Sequence, residues 1–401
     1  MKIVSVPIAN NTKKIITTLC YGVGMTWLFA NSVYAVDLKA LDDGHNFKIK
    51  ATELFSVDSN PLRLVAGSDT LMGSEFSPEF IFGDITPTHK VYLNTLINYN
   101  VYDDSIFDTI NFHETLGLFK SNQRWSIGVV GLFDYDTTRS SEITSFGIAA
   151  ADVRHTGLTA IPQLSFNLTE IDKLSLNGNI SRELYDGSAY IGNKYYSLAP
   201  SYSHNFDPNN AGSITLNLQR YQSDDANESR TDSIGPLFGW TSVINKELDT
   251  RISAGFEQTN QEIKFGISPK SKLNYVFSAS ANFKGQQDIA SLTASRSQQQ
   301  FGNGGASLLT AFDIKEAHSL NHKITFNAGS NYSYTDNSSF STTSLDKQFI
   351  ISGGISYHLS NKVDLTTNYQ YVSQKLTGSS GSIKEQILLI GIGYHPDFNP
   401  I

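Results

Sequence analysis

A unit of about a dozen residues with a period of two constrains this chain more than any other feature. In residues 323–334, KITFNAGSNYSY, one phase holds Ile324, Phe326, Ala328, Tyr332 and Tyr334, and the other Thr325, Asn327, Gly329, Asn331 and Ser333. That is a strand with one apolar and one polar face. The unit recurs. In residues 90–102, Val91, Leu93, Thr95, Ile97, Tyr99 and Val101 alternate with Tyr92, Asn94, Leu96, Asn98 and Asn100, and similar alternation runs through 125–135, 174–181 and 273–283. Short polar reversals at 84–89, 120–123, 169–172, 207–212, 245–248, 284–287, 317–321 and 360–362 alternate with a second set at 58–70, 137–155, 223–231, 335–346 and 376–382, several of them much longer. Short turns on one side and longer loops on the other are expected of a transmembrane antiparallel up-and-down β-barrel. Counting strands between reversals gives about 18, with 16 the nearest alternative, and an even count puts both ends on the periplasmic side.

Alternation alone also fits a soluble sandwich or propeller. Three observations favour the membrane. The strands approach the 9–11 or so residues that cross a bilayer when tilted, aromatic residues gather near strand ends, and the N-terminus reads as a secretory signal. Lys2, Lys13 and Lys14 precede a mostly apolar run at 15–30, and Val33-Tyr34-Ala35 is a small-residue cleavage site. Cleavage after Ala35 would leave a lead-in at 36–46, a barrel at 47–395 and a tail at 396–401. Outside the signal no run reaches the roughly 18 apolar residues of a spanning helix.

Cys20, the only cysteine, lies inside the signal, so the mature chain has no thiol for a disulfide, a metal site or catalysis. Losing three lysines and no acid changes 30 bases against 38 acids to 27 against 38, a net charge of -11. That balance argues against nucleic-acid binding.

Pro78, Pro162, Pro200 and Pro236 recur inside strands as EFSPEF, TAIPQL, SLAPSY and SIGPLF. Proline removes a ladder donor, so the repeat predicts bulges at these four places. The final strand, IKEQILLIGIGY at 383–394, is apolar and ends on an aromatic, resembling the C-terminal insertion signal that outer-membrane proteins present to the barrel-assembly machinery. His395 to Ile401 follow it, so Phe398 is the alternative terminal aromatic.

EFSPEF at 75–80 with the tyrosine-rich strand after it, and LTASRS at 292–297 followed by FGNG at 301–304 and the strand up to Tyr334, resemble the outer-membrane β-barrel porin family associated with exopolysaccharide and exosortase (PEP-CTERM) systems. The resemblance implies an outer-membrane barrel and a role in polysaccharide export.

No catalytic constellation stands out, and neither a cofactor nor a metal is expected. His89, His204, His318, His322, His358 and His395 fall at or near predicted periplasmic ends, as solvated or interfacial groups. His318 and His322, four apart in a turn, would not converge as they would on a helix. Arg124, Asp134, Lys173, Glu183, Arg251, Glu257, Asp313 and Lys315 fall on polar phases and, with Asn327 and Asn331, are expected to line a lumen. There they either bias the passage of polar solutes or pair across strands as filler. Arg182, Arg220 and Arg296 fall on apolar phases near predicted extracellular ends. Either they reach outward to lipopolysaccharide phosphates, or a bulge turns them into the mouth. The leading reading is a passive conduit for polar solutes or polysaccharide; the alternatives are a barrel hydrolase and a structural or adhesive barrel acting through its loops.

Overall fold

The computed structural model describes residues 44–64, 67–139, 153–187, 190–224, 229–263, 267–300, 306–336, 345–376 and 381–396. The signal, its cleavage site, Cys20 and Phe398 lie outside them. The strands are β1 (Gly44–Asp58), β2 (Leu71–Ile85), β3 (His89–Tyr102), β4 (Thr109–Ser121), β5 (Trp125–Thr137) and β6 (Arg154–Asn167). They continue with β7 (Asp172–Tyr185), β8 (Asn193–Asn205), β9 (Asn210–Ser223), β10 (Arg230–Val243), β11 (Leu248–Ile263) and β12 (Ile267–Lys284). The last are β13 (Asp288–Gln300), β14 (Ala306–Ser319), β15 (Ile324–Asp336), β16 (Leu345–Ser360), β17 (Val363–Leu376) and β18 (Ser382–Tyr394). Each pairs antiparallel with its sequence neighbours, and β1 pairs with β18 from Ala51↔Tyr394 to Asp58↔Ile387. The sheet is therefore a closed 18-stranded barrel, as the count of reversals predicts. β1 takes in the last three residues of the stretch read as a lead-in.

All eight short turns fall where the sequence places them, at one end of the barrel. Their chemistry repeats. Asn122, Asp207, Asn245 and Asn321 each accept, on the side-chain Oδ1, the backbone N–H groups two and three residues on. The Thr169 hydroxyl does the same for Ile171 and Asp172. These side chains stand in for a backbone turn acceptor, which lets the strand reverse in a few residues. In the turn at 206–209, hydrogen bonds from the Asn210 side chain and the Asn209 N–H hold the Asp207 carboxyl below its usual range.

The four prolines make no bulge. Pro78 stays in register with Ala51 on β1; toward β3 the bridges stop at Phe76↔Tyr99 and resume at Glu79↔Leu96 without a shift. The same one-sided gap, in unbroken register, flanks Pro162, Pro200 and Pro236. A missing N–H removes bonding on one side only and needs no extra residue to absorb it. Gly178 lies opposite Pro162, where a Cβ would sit 3.0 Å from the proline ring. Register does shift elsewhere, at Gln261/Ile263, Leu345/Lys347 and His358/Ser360.

The two faces invert the soluble pattern. Phe55, Ile252, Phe256 and Ile390 point outward and are more than half exposed, whereas Asn111, Asn179, Glu257 and Glu385 point inward and are nearly covered. One sector of the inner wall is apolar: Ile81, Ile85 and Tyr92 pack with Phe119. Tyr92 lies flat over Gly117 and Phe119 over Gly128, their cross-strand neighbours; a Cβ on either glycine would fall about 2 Å from the ring.

Near its long-loop end β13 leaves the wall. It pairs with β12 only from Phe277↔Arg296 to Lys284↔Ile289, yet Gln298 accepts a hydrogen bond from Ser233 of β10. Three strand spacings, about 14 Å, separate β10 from β13 within the sheet. A glutamine cannot span that, so the end of β13 lies against the inner face of β10–β12.

Candidate functional site

The inner wall is the candidate site, and register decides which side chains belong to it, because directly opposed residues of antiparallel strands share a face. Asp134, Lys173, Glu183, Arg251, Glu257, Asp313, Lys315, Asn327 and Asn331 all stand on the inward phase. Arg124 does not. It lies in the turn before β5, exposed, with its N–H on Asn122; the strand begins one residue later, at Trp125.

The long-loop half of the wall holds a His–carboxylate cluster. His113 Nδ1 is 2.7 Å from Asp134 Oδ1, His155 Nδ1 is 2.7 Å from Asp136 Oδ1, and His155 Nε2 is 2.6 Å from Glu183 Oε2. Each ring nitrogen of His155 thus has a carboxyl oxygen within hydrogen-bond distance. Gly157 makes the arrangement possible: it occupies the row between Asp134 and Glu183, where a Cβ would fall 2.9 Å from Glu183 Oε2. Tyr185 covers His155 at 5.1 Å between rings, and Tyr190, from the following loop, stacks on Tyr185 at 5.3 Å. That loop bends inward.

The first long loop does the same. Arg63 places Nε and Nη2 each 2.7 Å from Glu385 Oε2, on the inner face of β18. Both side chains are nearly fully covered, and Arg63 holds a backbone φ of 50°, unusual for a residue other than glycine. Asn60 clamps the loop: its Nδ2 donates to the Leu64 and Lys384 carbonyls, and its Oδ1 accepts from the Leu64 N–H and the Ser68 hydroxyl. Arg139, entering another long loop, lies 4.4 Å over the Tyr102 ring.

Charge is divided along the barrel axis. Asp58, Glu75, Asp134, Asp136, Glu183, Glu257 and Glu385 face inward toward the long-loop end, where, beside His113 and His155, Lys272 is the one lysine or arginine on the inward phase among described strand side chains. Toward the short-turn end and mid-wall stand Lys48, Lys50, Lys90, Lys173, Arg251, Lys284 and Lys315, with Glu79, Asp249, Asp313 and Asp364. Some of these pair: Lys50 with Glu79 at 3.3 Å and Lys315 with Asp313 at 3.4 Å.

Asp58, Arg63, His113, Asp136, His155 and Glu385 are site residues that sequence reasoning missed. His113, Asp136, His155 and Glu385 do sit on polar phases of their strands. Arg63 had no signal, because nothing local says that a loop turns inward. At the short-turn rim, His89, His204, His318 and His358 each meet an aspartate at 2.5–3.2 Å, and His395 shares Asp364 with His358. Among the described residues, no set of histidines and carboxylates is arranged to hold a metal ion.

The three arginines on apolar phases divide. Arg182 and Arg220 face outward, 2.7 Å from Asp224 and Asp232 respectively. Arg296 is buried where β13 leaves β12, on Thr310 at 2.8 Å and Asp336, with Tyr275 at 4.4 Å.

No family model matches this sequence, and no curated protein matches it. Among solved structures, Pseudomonas aeruginosa OccK2 (OpdF) is similar at TM-score 0.50 and 12% identity, over 88% of this chain and 99% of that one. OccK2 in complex with glucuronate gives 0.50 and 11%, over 88% and 100%. Pseudomonas aeruginosa OprD gives 0.46 and 12%, over 90% and 98%. At these identities the likeness is one of fold.

Proposed function

We propose that this chain is a porin-like channel of the bacterial outer membrane, through which small polar solutes diffuse without bond chemistry. One observation carries the reading: a closed barrel is apolar outside and lined inside by polar groups of both charges. In hydrocarbon every backbone donor and acceptor needs a partner, and strands achieve this only by closing. Strands of 13 to 18 residues exceed the roughly 9–11 that cross a bilayer, leaving both ends in water. The short-turn end then faces the periplasm. The similar solved structures are outer-membrane porins of the OprD/Occ group, which agrees with this reading at the level of fold.

Small solutes fit better than the polysaccharide that the sequence resemblance implied. Near the long-loop end Ser333, Gln374 and Glu385 face inward yet are almost wholly covered, and two loops bend into that half. A sugar polymer would have to displace them. Swelling of proteoliposomes tests the reading. Monosaccharides and amino acids should enter, with the rate falling steeply by the tetrasaccharide. Absence of swelling with every solute contradicts the channel, and equal rates for monosaccharides and long oligosaccharides contradict the restriction.

A further inference from the structure

Lys347, Lys375 and Lys384 stand on the outward phase of β16, β17 and β18 at the long-loop end, all exposed. Lys347 and Lys375 are directly opposed across the strand pair, and Lys384 lies one row below, opposite Ser373. Like charges in direct register destabilise a sheet. Among the described residues none of the three forms an ion pair, and the connecting segments 337–344 and 377–381 contain no acidic residue. The contrast with β7–β10 is direct, because there Arg182 and Arg220 each meet an aspartate. Below the lysines the same wall is apolar and aromatic, with Phe349 beside them and Ile351, Tyr369 and Leu388 lower down, all substantially exposed.

We infer that this triad binds the phosphate groups of an outer-leaflet phosphoglycolipid, whose acyl chains lie along Phe349, Ile351, Tyr369 and Leu388. The inference rests on the outer-membrane reading but not on channel activity. The anion answers the Lys347–Lys375 repulsion, and the apolar wall selects a lipid over a free phosphate. Each lysine near an anionic surface adds attraction that salt screens.

Native mass spectrometry of the full barrel in detergent tests it, with bis-phosphorylated lipid A, the same lipid stripped of phosphate, and inorganic phosphate as probes. Lipid A should be retained, and the phosphate-free lipid should bind about tenfold more weakly or worse. Inorganic phosphate should fail to displace lipid A. The triple variant Lys347→Gln/Lys375→Gln/Lys384→Gln should lose a similar factor, while the triple Lys→Arg variant retains binding; heat-modifiable mobility on gels verifies folding of both. Lys375→Glu gives a readout of opposite sign, raising the unfolding temperature of the lipid-free protein while weakening lipid A binding. Equal binding by wild type and the glutamine variant, equal binding of the phosphate-free lipid, or full displacement by inorganic phosphate would each overturn the proposal. Conductance plays no part in these outcomes, so a closed barrel that binds lipid A would refute the channel alone.

Discussion

The two halves of the inner wall differ although the same strands build both. On β13–β15, Ile289, Lys315 and Asn327 face inward near the short-turn end and remain exposed, Ile289 at 55%; farther up, Ser295, Ala311 and Ser333 also face inward and are 7% exposed or less. Alternation is identical in both halves. What differs is the connections: turns of two to four residues cannot reach the axis, whereas the long loops can, and Arg63, Tyr190 and the departing end of β13 come inward from that side. The upper half thus behaves like a packed polar core, and the lower half like a wetted wall.

The largest expected effect of breaking this contrast comes from Arg63→Ala, which leaves Glu385 buried without its cation. Thermal unfolding should register a loss of about 3–5 kcal/mol, and channel conductance should rise as the first loop is released. A variant removing both partners should recover much of the stability; no recovery would mean the loop is held by Asn60 alone. In the lower half Gly117→Ala forces the Tyr92 ring off the wall and should cost about 1–3 kcal/mol while narrowing the pore. Unchanged stability and conductance would show that the ring has room to move.

Neutralising the upper acids by Asp134→Asn, Asp136→Asn and Glu183→Gln together should reduce preference for cations, read as a reversal-potential shift toward anions in a salt gradient. An unchanged reversal potential would mean these groups are filler. Pro162→Ala should change stability by no more than about 0.5 kcal/mol, because the register is continuous around it; a large gain would indicate that the one-sided gap is strained.

Much of the fold was legible because strand faces, turn chemistry and strand count are local properties. Asn122, Asp207, Asn245 and Asn321 mark reversals by their own side chains, and parity places nine of the ten residues read as lumen-lining on the inward phase of their strands. The wrong expectations came from reading one consequence too far. Pro78 and its counterparts lack a donor, but a ladder can lose a bond without gaining a residue. Arg124 continued an alternation across a turn, where alternation has no meaning. The packed upper half was not legible, since whether a loop folds over a wall depends on residues far apart, as Arg63 and Glu385 are. The outward arginines drew attention to lipid, yet Lys347, Lys375 and Lys384, which form no ion pair among the described residues, are the better-placed cations, and only register shows that Lys347 and Lys375 are directly opposed.

The measurement closest to the central claim is single-channel current through the purified barrel in a planar bilayer at low salt, about 50 mM, where charges inside the lumen are weakly screened. A polar channel with acids toward one mouth and bases toward the other should conduct in discrete steps and pass unequal currents at opposite voltages, and the Asp134→Asn/Asp136→Asn/Glu183→Gln variant should reduce that inequality. Repeated reconstitutions without steps, or steps of equal size at both polarities in wild type and variant alike, would contradict it.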